Sequence, residues 1–321
     1  GRLRYTAAYD EGLEGAEFAF LSIDTPVAED DTPQLEGVLA AAEAIGLSAG
    51  PGLVLCVTAQ VPVGTTEKLA ERLRSLRPDL STVVAYVPEF LRLGTALESF
   101  RSADRIVIGA GVESAGAAVA RLYEPLGRPL VITTIRSAEM AKHASNCFLA
   151  TSVSFANQLA DLCEVSGADA AEVARMLRLD SRIGPRAFLS AGLGFAGGTL
   201  GRDLRALQSL GREKAVATPL LDAVDAVNRG RLPHLVERLT AEVGPLQDVR
   251  IAILGLTYKP DTSTLRRSPG LDLARLLRSA GARVVACDPR VDRTAPELEG
   301  LVELAPDAAA ACAGAAAAVL V

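Results

Sequence analysis

Apolar residues fall along this chain in two rhythms, and the rhythm changes twice. Over residues 1–134, apolar runs of strand length at 16–23, 52–58, 82–87, 105–109 and 129–134 alternate with helical periodicity at 35–45, 65–76 and 113–123. Such alternation predicts a parallel sheet with helices on both faces, whose ligands meet the carboxyl ends of the strands. Asp24-Thr25-Pro26, Ala59-Gln60-Val61-Pro62 and Pro88-Glu89-Phe90 stand at such ends. Over 135–235 the strand signals vanish. Residues 137–165 form one long helical pattern with Ser137 as the predicted N-cap and Gly167 as the stop, and further helices are predicted at 170–177, 203–215 and 219–229. Residues 232–247 read as a linker or a connecting helix. Strand–helix alternation then returns, with strands at 249–254 and 283–287, a helix at 271–280, and a helix followed by a strand over 308–321.

The predicted fold class is α/β: two Rossmann-like parallel-sheet lobes, residues 1–134 and 236–321, joined by an all-helical central domain over 135–235. The long first helix of that domain is placed to link the lobes and support a dimer. A length of 321 residues suits two or three domains, and 49% apolar residues suit a large core. A net charge of -6 argues against a nucleic-acid binder. Arg72, Arg74 and Arg77 have the spacing of a solvated helix face. Cys56, Cys147, Cys163, Cys287 and Cys312 show no CxxC or metal-ligand spacing and lie in apolar runs. They are expected to be buried free thiols in a reducing cytoplasm, with no metal. No signal peptide is visible, and the apolar run at 308–321 contains Gly314 and reads as helix then strand rather than a membrane span. There is no initiator Met, and the terminal strand over 315–321 has no helix behind it, so a longer parent protein is expected.

Candidate chemistry lies in three places. On the long helix, Glu139, Lys142, His143 and Asn146 stand at i, i+3, i+4 and i+7, and Asn157 extends the same stripe. The stripe is either a solvated face or, because the helix is otherwise apolar, a face turned to protein or to a cleft. A Lys held near a reacting oxygen stabilises developing negative charge. Residues 192–203 hold five glycines, Gly192, Gly194, Gly197, Gly198 and Gly201. They form either a floppy turn or a loop whose N–H groups approach a phosphate or sugar. Asp203, expected at the opening of the next helix, serves either that helix end or the site. In the last lobe, Gly255 through Thr262 follow a strand, and Arg266-Arg267-Ser268-Pro269 lead into a helix, a setting that suits an anionic group. Gly109-Ala110-Gly111 is only a partial dinucleotide fingerprint and reads as a strand-to-helix turn. The first strand–loop–helix of a dinucleotide lobe is expected upstream of Gly1.

The motifs, taken in order, resemble the UDP-glucose/GDP-mannose 6-dehydrogenase family over essentially the whole chain. They are Gly1-Arg2-Leu3-Arg4, Ile23-Asp24-Thr25-Pro26, Val61-Pro62-Val63-Gly64-Thr65, Pro88-Glu89-Phe90-Leu91 with Gly94, and Asp104 through Gly109. Glu139-Met140-Ala141-Lys142 with Asn146 and Phe148-Leu149-Ala150, then Asp180 through Gly184, the glycine loop, and Gly255 with Tyr258-Lys259 complete the series. The resemblance implies an NAD lobe, a helical dimer core and a nucleotide-sugar lobe, in an enzyme that oxidises the sugar C6 alcohol to a carboxylate with two NAD. By position, Lys142, Asn146 and Asp203 are implied to hold and polarise the C6 oxygen and a catalytic water, with Glu89 assisting hydrolysis. Thr25, Gln60, Glu89, Arg202 and Arg266 are implied at the cofactor. Arg182, Phe188, Leu189, Gly194 and Lys259 are implied at the nucleotide sugar. A homodimer is implied as well, with no nucleic-acid or membrane partner.

Several positions depart from the family pattern. Thr199 stands where the family carries its nucleophilic Cys, and its hydroxyl is far less acidic than a thiol. Ala59-Gln60 replace Ser-Thr, Leu93 replaces a Glu, Arg202 replaces a Lys, Ser263-Thr264 replace an acidic pair, and Arg267 replaces a Glu. Alcohol oxidation keeps its residues, whereas the thioester step loses its nucleophile. The expected function is therefore NAD-dependent oxidation of a nucleotide sugar at C6, toward aldehyde or uronate. The alternatives are a non-catalytic nucleotide-sugar or dinucleotide binder, and a related enzyme on a different hydroxyl or acyl substrate.

Overall fold

The computed structural model describes residues 3–28, 33–79, 83–92, 94–196, 198–258 and 262–321. The first five apolar runs become β1 (Phe18–Leu21), β2 (Val54–Val57), β3 (Val83–Tyr86), β4 (Ile106–Ala110) and β5 (Leu130–Thr133). Between them lie α1 (Tyr9–Leu13), α2 (Glu36–Ser48), α3 (Thr65–Leu76), α4 (Ala96–Arg101) and α5 (Glu113–Tyr123). The strands lie in the order β1-β2-β3-β4-β5. Every pair is parallel except β3–β4, which is antiparallel through Ala85–Ala110 and Tyr86–Gly109. Apolar periodicity reports burial and not strand direction, so that reversal is invisible in the pattern.

Alternate residues of β2 feed two cores. Leu55 and Val57 pack with Val38 and Ala42 of α2 and Leu69 and Leu73 of α3. Val54 and Cys56 pack with Val119 and Ala120 of α5. Helices thus cover both faces, and for that reason β2 is buried along its whole length. Gly109 lies inside β4 rather than in a turn. A Cβ there would stand 2.7 Å from Ala138 Cβ and 2.9 Å from Ile135 Cα. Gly109→Ala is therefore expected to destabilise the protein by about 1–3 kcal/mol through overpacking. Denaturant unfolding checks this, and an unchanged midpoint would show that the helix can retreat without cost.

The long helix α6 runs Ile135–Ser166. Its N-cap is Thr134 and not Ser137, because Thr134 Oγ1 accepts the Ser137 N–H at 3.2 Å, which puts Ser137 at the third helical position. Gly167 ends it as expected. Its φ of 76° is left-handed, the Ala168 N–H reaches the Cys163 carbonyl at 2.8 Å, and the Gly167 N–H reaches that of Glu164.

Beyond it come α7 (Ala170–Leu179), α8 (Leu200–Glu213) and α9 (Pro219–Val243). The segments expected separately at 219–229 and 232–247 are one helix through Pro233. Pro233 cannot donate to the carbonyl of Arg229. The helix continues because Leu232, Leu235, Val236, Leu239 and Val243 pack on the core of the second sheet. That sheet contains β6 (Arg250–Leu254), β7 (Arg283–Cys287), β8 (Glu303–Leu304) and β9 (Ala317–Leu320), all parallel, in the order β8-β7-β6-β9. Its helices are α10 (Pro269–Ser279), capped by Ser268 with Pro269 in its first turn, and the short α11 (Ala308–Cys312).

The chain forms two compact units. One runs to Ser145 and takes in Arg205–Leu210, and the other comprises Asn146–Leu204 and Gly211–Val321. Cys56, Cys147 and Cys163 are buried free thiols, but Cys287 and Cys312 are only partly buried, since each ends its strand or helix. Among the described residues no helix is long and apolar enough to cross a membrane.

Candidate active site

The polar stripe of α6 is buried throughout, which removes the solvated-face alternative. Its members are spent on loop backbone. In the first unit, the Glu139 carboxylate accepts the N–H groups of Gly64 at 2.5 Å and Thr66 at 2.9 Å. Gly64, at φ 92°, precedes α3 and offers no side-chain cap, so α6 supplies one with the charge that a helix N-terminus favours. His143 Nε2 lies 2.9 Å from the Val61 carbonyl, which only accepts, so Nε2 carries a proton. Lys142, 6% exposed, donates from Nζ to the Glu89 carbonyl at 2.5 Å. Its ammonium lies 4.9 Å from the Phe90 ring centroid, and the Arg105 guanidinium lies 4.7 Å from it. A buried cation is thus held at the end of β3 by a carbonyl and an aromatic ring.

Thr25, Gln60 and Glu89 follow β1, β2 and β3, neighbours in one parallel run. Thr25 is buried, Gln60 half-buried and Glu89 exposed, with the Glu89 carboxylate accepting the Leu91 N–H at 2.8 Å. Polar groups at the carboxyl edge of parallel strands fit one wall of a dinucleotide cleft. The N–H groups that open α3 do not fit a phosphate, because Glu139 holds them.

In the second unit, Asn146 donates from Nδ2 to Oδ2 of Asp203, and both residues are buried. The carboxylate in the first turn of α8 therefore meets a side chain of α6. Thr199 is exposed and holds the N-cap position of α8, its carbonyl accepting the Asp203 N–H at 3.1 Å. Cys147 is no substitute nucleophile. It is buried, and its thiol is pushed up to about 12 by burial and then by the charge of Asp203.

The glycine loop is held at two of its described residues, Gly192 and Phe195. Asn157 Oδ1 accepts the Gly192 N–H at 2.7 Å, and Arg231 Nε donates to the Gly192 carbonyl at 2.8 Å. Asn228 accepts the Phe195 N–H at 2.7 Å and donates to the Phe195 carbonyl at 3.0 Å. Arg231 also donates to Asp161 at 2.5 Å. Gly194 lies between the held residues at φ 92°, where a Cβ would stand 2.5 Å from Asn228 Oδ1. Asn228, Arg231 and Asp161 stand outside the motifs legible in the sequence. The available signal was Asn228 itself, a poor helix former inside a helix.

The remaining expected residues are spread through the second unit. Arg182 is exposed and pairs with Asp180 at 2.6 Å, which raises the guanidinium pKa and lowers that of the carboxyl. Phe188 is exposed, Leu189 is buried, and Arg202 is half-buried in the first turn of α8. Arg266 is exposed ahead of Ser268, which caps α10. Lys259 and Leu93 lie outside the described residues. Near the end of β6, Asp288 accepts the N–H groups of Leu256 at 2.7 Å and Thr257 at 3.0 Å.

Three profiles of the UDP-glucose/GDP-mannose dehydrogenase family match in order. They are the NAD binding domain at residues 1–127, the central domain at 136–230 and the UDP binding domain at 252–321. UDP-glucose 6-dehydrogenase TuaD of Bacillus subtilis (strain 168) is 36% identical over 290 residues, covering 90% of this chain and 62% of the relative. UDP-glucose 6-dehydrogenase AglM of Haloferax volcanii is 38% identical over 331 residues, covering 99% and 76%. This chain spans 62% of the length of TuaD and 65% of that of a Pseudomonas aeruginosa UDP-glucose 6-dehydrogenase. The solved structure of a UDP-glucose dehydrogenase from Pyrobaculum islandicum superposes with a TM-score of 0.94 at 34% identity, covering 99% of this chain and 75% of that one.

Proposed function

Because the chain belongs to the UDP-glucose/GDP-mannose dehydrogenase family, we propose that the protein oxidises the C6 alcohol of a nucleotide sugar, with NAD as acceptor, and releases the aldehyde. The observation that carries this reading is the buried Lys142 ammonium at the carboxyl end of β3. Oxidation takes a proton from the hydroxyl, which passes to water, and a hydride from C6, and bound NAD supplies the hydride acceptor. Lys142 stabilises negative charge developing on the C6 oxygen. Asn146 and Asp203 orient that oxygen or a water through their shared hydrogen bond. Thr25, Gln60, Glu89, Arg202 and Arg266 serve the cofactor. Arg182, Phe188, Leu189, Gly194 and Lys259 serve the nucleotide sugar.

The aldehyde is the favoured product because the next oxidation needs a nucleophile to add to it, and a Thr hydroxyl without an activating base is a poor one. Residues 1–134, 135–235 and 236–321 serve as the cofactor, central and nucleotide-sugar parts. A homodimer fits the exposed apolar stripe of α6. Phe148, Phe155 and Leu162, at intervals of seven, are 72%, 51% and 60% exposed and offer a seam to a second copy. Free thiols suit a reducing cytoplasm.

The test is to count NADH formed per UDP-sugar or GDP-sugar consumed. A ratio near one is expected. A ratio near two would mean that uronate forms without the thiol, and turnover of none of the sugars would defeat the oxidoreductase reading.

A further inference from the structure

We infer that Asn228, with Arg231 and Asn157, is a positioning residue that pre-shapes the glycine loop for the nucleotide sugar. The inference rests on the functional reading above, and it concerns residues that reading does not use. Both backbone groups of Gly192 and both of Phe195 are bonded to side chains. Those side chains come from two helices, α6 and α9, which Arg231 also ties together through Asp161. The Asn228 amide meets Phe195 as one β-strand meets another, with one donor and one acceptor, and no carboxylate or amine of similar size does both. Gly194 is shaped to the same contact, since any side chain there would collide with Asn228. A loop with five glycines has many conformations to lose on binding a ligand. Four fixed backbone groups remove much of that cost before the ligand arrives.

The clamp therefore acts on affinity and not on the chemical step. Asn228→Asp keeps the acceptor for the Phe195 N–H but turns a second oxygen on the Phe195 carbonyl. In that variant, KM and the calorimetric Kd for UDP-glucose are expected to rise about tenfold, with kcat within about threefold of the parent, on the order of the cost of one lost buried hydrogen bond. Hydrogen exchange at the Phe195 amide is expected to quicken, while the unfolding midpoint moves little. Arg231→Lys, which keeps the charge and the stem but not the paired donation to Gly192 and Asp161, is expected to give a smaller rise and stands in if the Asp variant does not fold. Folded variants that bind UDP-glucose within twofold of the parent, or that leave the Phe195 amide as protected as before, overturn the clamp. Failure of the unsubstituted protein to bind UDP-glucose or any other UDP- or GDP-sugar in the same titration would instead overturn the functional reading beneath it.

Discussion

Replacing Lys142 by Met is expected to lower kcat/KM by about 10²–10³-fold, the range found when one preorganised charge stabiliser is removed from an active site. Met preserves most of the volume and the unbranched shape of the side chain, so the buried face of α6 keeps its packing. What is lost is the ammonium and its donation to the Glu89 carbonyl at 2.5 Å. The orphaned carbonyl costs about 1–3 kcal/mol, offset in part because a desolvated charge is no longer buried. Unfolding curves therefore separate a folded, inactive variant from a collapsed one. Binding of the nucleotide sugar is expected to survive, because the loss is specific to charge that develops during reaction. If the folded variant turned over within tenfold of the parent, Lys142 would be only a structural pin for the strand end, and the catalytic role of the stripe would fall with it.

Thr199→Cys is expected to change the number of electrons removed from each sugar. The parent protein should form one NADH per sugar and release an aldehyde, and the variant should approach two. Thr199 holds the N-cap position of α8, where backbone N–H groups stabilise a thiolate. A thiolate there adds to the aldehyde carbon. The adduct then loses a hydride to a second NAD to give a thioester, which water hydrolyses to the carboxylate and the free thiol. Cys147, beside Asn146 in sequence, does not supply this step, since it is buried with its thiol pushed up to about 12. Thr199→Ser serves as the control and should leave the ratio at one. A parent ratio already near two, or a Cys variant that stays at one with undiminished turnover, would mean that the residue at 199 does not set the extent of oxidation.

Much of this molecule is legible in its pattern of residues. The helices at 65–76 and 113–123 and the strand at 283–287 keep the expected limits, because each is bounded by turns and carries a buried stripe of the right period. Features set by partners distant in sequence are not legible. Thr134 displaces Ser137 as the cap of α6 because β5 runs into the helix with a single connecting residue. Helix α9 passes through Pro233 because the core of the second sheet outweighs one missing hydrogen bond. The two-residue strand β8 and the short helices α1 and α4 leave too short a periodic signal to be read, and the antiparallel β3–β4 pair is hidden because periodicity does not report strand direction.

The sequence by itself determined the α/β class, the two changes of rhythm along the chain and the list of polar residues on α6, because local propensity and periodicity are written residue by residue. It also fixes the residue at position 199 as a hydroxyl and not a thiol. The tertiary structure alone decided what the polar residues do. Glu139, Lys142, His143, Asn146 and Asn157 share one stripe and look alike in the sequence, yet the first three hold the backbone of loops after β2 and β3, Asn146 meets a carboxylate, and Asn157 holds the glycine loop. A buried polar atom must find a partner, and that partner lies wherever the chain has folded back to it, 35 to 82 residues away in these pairs.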